Sequence, residues 1–143
     1  MIPPAAAPAF LAANGWEGAA ILPLAGDASF RRYFRVVEDG RSAVLMDAPP
    51  AHEDVRPFIT IARHLGGLGL SAPEILAVDL DAGLLLLEDF GDQRVGPVLA
   101  AGGADEHAVY AAAIDILVDL GRHSPPAVAP YDDAAMAREV MLF

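Results

Sequence analysis

At 143 residues and 55 % hydrophobic content, the chain has the length of one ordinary domain and enough apolar material for a packed core, which excludes global disorder. Nine Lys+Arg against 20 Asp+Glu give a formal charge of -11, a balance that repels phosphate backbones and anionic lipid, so neither nucleic acid nor membrane is an expected partner. The absence of cysteine excludes a disulfide framework or thiolate metal site and suits a cytoplasmic protein.

The opening MIPPAAAPAFLAANGW is Ala-rich with interrupting prolines and no basic leader, and predicts a short helix rather than a signal segment. No window approaches the ~18 uninterrupted apolar residues of a membrane span. Residues 20–24 and 32–37 read as strands around the turn GDAS, which begins at Gly26. An Asp-Gly hairpin signal at Asp39 and Gly40 leads into a third strand over 42–47, closed by Pro49 and Pro50. Apolar residues at Val55, Phe58, Ile59, Ala62 and Leu65 predict an amphipathic helix over 53–65, with Pro57 in its first turn and Gly66 and Gly67 at its end. Residues 74–78 and 84–88 complete a set of five strands.

Beyond Gly91 the strands give way to helices. Residues 93–101 are open between helix and loop, 105–123 carry a long helical pattern, and 131–143 begin another that runs to an apolar, uncapped end. That end reads as a truncation. Asp47 and Asp54 sit where exposed carboxylates are commonplace, and Asp47 is assigned no catalytic role. His52, His64, His107 and His123 are scattered without ligand-like spacing, so no metal site is expected.

The chemistry-bearing stretches are GDASFRRYF, VLMDAPP, GLSAPEIL and LLLLEDFGD. Glycine at the first turn permits close backbone approach and Ser29 adds a hydroxyl donor, a combination suited to phosphate. Strand alternation puts Arg32, Phe34 and Val36 on one face and Arg31, Tyr33 and Arg35 on the other, and only one set can face a ligand.

In this order the four stretches resemble the aminoglycoside phosphotransferase branch of the protein-kinase-like fold, from about Leu24 through Gly91 and weakly onward to YDDAAMAREVMLF. Its amino-sugar branch, kinases acting on the anomeric hydroxyl of N-acetylmuramate and N-acetylglucosamine in cell-wall recycling, is the most similar. The resemblance implies an α+β fold: a nucleotide-binding N-terminal lobe over 1–91, with a five-stranded antiparallel sheet and one main helix, then the hinge-following segment and first helices of an incomplete helical lobe over 92–143.

The resemblance also assigns residues. Gly26, Asp27, Ala28, Ser29 and Phe30 would form the turn over the ATP phosphates, Phe34 would lie against adenine, and Glu88, Asp89, Phe90 and Gly91 would be the hinge that hydrogen-bonds the base. Met46 stands where a kinase carries its phosphate-pairing lysine, and the acidic partner of that lysine is absent at Phe58, although Glu53 lies one turn earlier. Arg32 is the first candidate for the missing charge and Arg31 the second. Phosphoryl transfer needs a catalytic Asp and magnesium ligands in an HxDxxxxN segment and a later acidic motif; nothing after Gly91 matches them. The chain alone is therefore expected to be inactive, to supply no catalytic or metal residue, and to use ATP and Mg only with the missing lobe. Its apolar surface would dock that lobe or self-associate. The competing expectation is a non-catalytic nucleotide-binding or interaction module with a degenerate kinase lobe.

Overall fold

The alternation of the strand Arg32–Glu38 explains the architecture: one parity of its side chains packs beneath a helix on one face of a sheet, and the other parity faces a second helix and a groove. The computed structural model describes residues 1–24 and 29–141. A five-stranded antiparallel sheet, in the order β1-β2-β3-β5-β4, is built from β1 (Ala20–Pro23), β2 (Arg32–Glu38), β3 (Arg41–Asp47), β4 (Ile75–Asp79) and β5 (Leu84–Glu88). Helices α1 (Ala7–Ala13), α2 (Arg56–Gly67), α3 (Val95–Ala100), α4 (Glu106–Leu120) and α5 (Asp133–Val140) complete the elements. The expected strand-and-helix order stands, and the open segment at 93–101 contains a short helix.

The β2–β3 hairpin closes through Asp39 and Gly40, whose φ angles of 49° and 77° are those of a turn that matches the right-handed strand twist. Glu38 then faces Arg41, and the register carries Arg32 opposite Asp47, Tyr33 opposite Met46 and Phe34 opposite Leu45. α2 starts at Arg56 rather than at 53, because Asp54 Oδ1 accepts the Arg56 amide at 3.0 Å and satisfies a donor that the first helical turn leaves free. Pro57 sits within that first turn, where its missing N–H costs nothing.

The sheet is buried on both faces, so β5 is a continuous apolar run, Leu84 to Leu87, instead of an alternating one. On one face Phe34, Val36, Leu45 and Leu86 pack with Phe10 and Leu11 of α1 and with Trp16. Arg41 closes the edge of that layer: its guanidinium lies 4.0 Å from the Trp16 ring centroid and bonds Glu38 and the Gly15 carbonyl. On the other face Met46, Leu85 and Leu87 pack with Val55 and Ile59, with Tyr33, Val44 and Phe58 against them. The β4–β5 turn touches the end of β3 so closely that a Cβ on Gly83 would meet the Ala48 carbonyl oxygen at 2.1 Å. With φ at +68°, that position admits only glycine without strain.

Helix α4 buries none of its residues, and Tyr110, Ile114, Leu117 and Val118 all stand exposed. No helix among the described residues is long and apolar enough to cross a membrane.

Phe34 is fully buried beneath α1. Replacing it with alanine should lower the unfolding free energy by about 3–5 kcal/mol, through lost burial and the cavity left behind. Urea denaturation of Phe34→Ala measures this; a loss under about 1 kcal/mol would mean that the α1 layer is not part of the cooperative core.

Candidate functional site

The groove begins where β5 ends. Gly91, at φ +76°, takes a backbone conformation that side chains disfavour, and the chain turns away from the sheet there. Between this segment and the α2 face of the sheet lies a groove of about 540 Å³. Leu24, Val44, Leu87 and Phe58 give it apolar walls, while Tyr33, Arg35, Glu88 and Asp92 add polar groups. Such a mixture, mostly apolar with a few convergent polar groups, is the usual make-up of a small-molecule site.

Two amides of this segment are already committed. Glu88 donates to the Glu74 carbonyl at 2.9 Å, and Gly91 donates to Asp89 Oδ1 at 2.9 Å. Among the described residues no hydrogen bond engages the Phe90 amide, and its side chain is exposed.

Arg35 anchors the same segment. Its two terminal nitrogens grip Asp92 in a fork, at 2.8 and 2.9 Å, and one of them also reaches Asp89 Oδ1 at 3.2 Å. Nε lies 2.8 Å from Asp89 Oδ2 but off the hydrogen-bond axis, so that contact is Coulombic. The Asp92 carboxylate, and then Asp89, push the Arg35 guanidinium above its ordinary value. For Asp89, burial acts upward, but the Gly91 amide, the Ser42 hydroxyl and Arg35 outweigh it and hold the carboxyl below its ordinary 3.8. Asp92 is lowered chiefly by its bonds to Arg35. Arg35 and Arg94 against Glu88, Asp89 and Asp92 leave the lining of the groove with a net charge of -1.

The expected site residues divide between the two faces. Gly26, Asp27 and Ala28 lie outside the described residues. Ser29 Oγ accepts the Arg31 amide at 3.1 Å. The exposed Phe30 ring stacks on His52 with centroids 4.7 Å apart, and Arg31 Nε bonds Glu53 Oε2 at 3.1 Å. Glu88, Asp89, Phe90 and Gly91 all line the groove.

Phe34 and Arg32 are corrections. Phe34 has no accessible surface and belongs to the α1 layer, so it forms no wall of the groove. Arg32 shares that parity: Nε bonds Asp47 Oδ2 at 2.7 Å and a terminal nitrogen reaches the Ile2 carbonyl at 3.3 Å. Asp47, expected as an exposed strand-end carboxylate, is buried as the partner of Arg32. Met46 does lie on the groove's face of the sheet, buried among the α2 contacts.

Sequence reading missed Tyr33, Arg35, Val44, Phe58, Leu87 and Asp92 as groove residues. The alternation already grouped Tyr33 with Arg35; what it lacked was the knowledge that α1 covers the Phe34 side. Among the described residues, no group of three or more His, Asp or Glu is placed to hold a metal ion.

The depressed carboxylates set the sign of a pH effect. Both Asp89 and Asp92 titrate below the ordinary 3.8 in the folded chain, so their stabilisation is complete above that value and is lost as pH falls through the folded values. Between about pH 6 and about pH 3, the urea midpoint of the wild type should approach that of Arg35→Met. A gap between the two proteins that stays constant across this range would mean that the cluster contributes nothing.

Comparison with known proteins follows the same outline. Residues 20–140 match the APH phosphotransferase enzyme family. The chain is 45 % identical over 140 residues to an N-acetylmuramate/N-acetylglucosamine kinase of Pseudomonas aeruginosa, covering 95 % of this chain and 41 % of that protein. It is 42 % identical to the kinase of the same name from Pseudomonas putida, over 91 % of this chain and 39 % of that protein. With the Caulobacter vibrioides kinase of that name it shares 37 % identity, over 90 % of this chain and 42 % of the relative. The chain thus spans about two fifths of the length of these curated relatives. The sheet order, the groove at the end of β5 and a match over residues 20–140 agree: this chain belongs to the APH phosphotransferase family.

Proposed function

We propose that this chain is the nucleotide-binding part of an ATP-dependent kinase that phosphorylates an amino sugar, N-acetylmuramate or N-acetylglucosamine, at the anomeric hydroxyl. The observation that carries the reading is the groove at the end of β5, where apolar walls stand beside a segment whose Phe90 amide makes no hydrogen bond among the described residues. An adenine ring needs that pair of features: apolar faces for its π-surfaces and a main-chain donor for an edge nitrogen. The relatives' names supply the acceptor class.

In this reading Val44 and Leu87 flank the base and Glu88 to Gly91 form its hydrogen-bonding edge. Gly26, Asp27 and Ala28 enter as phosphate-turn residues on sequence grounds alone. Magnesium, when bound with ATP, neutralises charge on the transferring phosphoryl group. Its ligands and the base that accepts the sugar proton belong to a further helical lobe, against which the exposed apolar residues of α4 pack. The 143-residue chain by itself binds nucleotide without turnover. Its place is the cytoplasm, where ATP is available.

The test is incubation of the full-length protein with ATP, magnesium and a panel of free sugars, with products identified by ³¹P NMR and mass spectrometry. Phosphate on the anomeric oxygen of N-acetylmuramate or N-acetylglucosamine is the expected product. ATP binding without transfer to any sugar would favour the non-catalytic module, a reading that the uncharged Met46 keeps open.

A further inference from the structure

All nine basic side chains of this acidic protein are arginines, so any cation that the chain offers a phosphate is a guanidinium or a histidine. Four arginines stand on or beside β2 and β3, and three of them are committed elsewhere. Arg32 is on the α1 face with Asp47, Arg41 is spent on Trp16, Glu38 and the Gly15 carbonyl, and Arg35 is shared by Asp89 and Asp92. Arg31 differs. Among the described residues, its side chain bonds one carboxylate, Glu53, through Nε. A guanidinium carries five N–H donors, so donors remain, and the side chain keeps 28 % of its surface exposed.

Its position suits the remaining donors. Tyr33 and Arg35 share one parity along β2, Arg31 lies one residue before the strand, and at the strand rise four residues span about 13 Å. At the end of the groove after β5, Arg35 and Arg94 stand against Glu88, Asp89 and Asp92, and that net charge of -1 repels a polyanion. A ligand whose base sits at the hinge must therefore run its phosphates along β2 in the other direction, toward Arg31. Met46, opposite Tyr33 in the register, brings no charge to the intervening face. The loop that carries Glu53 is also held by the stack of Phe30 on His52, so Arg31 is fixed from both sides before any ligand arrives.

Resting on the nucleotide reading above, we infer that Arg31, held by Glu53, is the residue that grips the β- or γ-phosphate, doing from just before β2 the work that kinases assign to a lysine on the third strand. Glu53 orients the guanidinium through Nε and leaves its terminal nitrogens for two phosphate oxygens.

Calorimetric titration of the full-length protein with adenosine, ADP and ATP tests this, using Arg31→Ala, Arg31→Lys and, as a control of equal charge change on the exposed side of α2, Arg63→Ala. Arg31→Ala should weaken ATP and ADP by about tenfold or more and leave adenosine within about twofold, which also reports that the groove is folded. Arg31→Lys should regain part of the ATP affinity, and Arg63→Ala should match wild type. ATP affinity within about twofold of wild type in Arg31→Ala overturns the inference while leaving the nucleotide reading intact. Equal losses for adenosine and ATP also overturn it, because they indicate a structural role. Wild-type protein that binds no ATP removes the nucleotide reading and this inference together.

Discussion

Packing of α1 on the sheet decides which side chains can meet a ligand. Phe10, Leu11 and Trp16 cover Phe34 and Val36, and this commits one parity of β2 to the core. Every side chain of the other parity, Tyr33 and Arg35 included, is thereby turned toward α2 and the groove. Because the side-chain period of a strand is two, a slip of one residue would exchange the two sets entirely. The register is held at several points at once: the tight turn at Asp39 and Gly40, the Arg32–Asp47 pair across it, and the Trp16–Arg41 contact at the sheet edge.

Electrostatics then give the groove a direction. A protein with a formal charge of -11 is a poor host for a polyanion unless its few cations are placed deliberately. After β5, Arg35 and Arg94 are outnumbered by Glu88, Asp89 and Asp92. Arg31, just before β2, pairs with Glu53. The same guanidinium chemistry therefore serves two places: Arg35 fastens the segment after β5 to the sheet, and Arg31, one residue before β2, fastens the loop that carries Glu53.

Much of this was legible in the residues. The Asp-Gly turn, the double proline after β3, the helical spacing of Val55 to Leu65 and the leucine run of β5 each specify an element through local chemistry, and the elements form in the order those signals predict. The end of β5 at Glu88 and the turn at Gly91 were legible for the same reason, since a strand end followed by glycine leaves few conformations. The parity of β2 was not legible. Both of its faces carry aromatic residues and arginines, so the choice depends on α1, a helix that lies more than twenty positions earlier and whose alanines give it little pattern to read. Asp47 was misjudged by the same route, because a carboxylate beside Asp-Ala-Pro-Pro reads as exposed until Arg32 is known to lie across the ladder. Local signals define elements; the pairing of their faces is a tertiary fact.

The central claim is that the α2 face of the sheet, from the hinge to Arg31, is the nucleotide surface. A crystal structure of the full-length protein with a non-hydrolysable ATP analogue and magnesium measures it directly. The account predicts a base between Val44 and Leu87 with an edge on the Phe90 amide, and phosphates running along β2 to within hydrogen-bond distance of Arg31. A nucleotide whose phosphates sit beside Asp89 and Asp92, or one bound on the α1 side near Arg32, would contradict it.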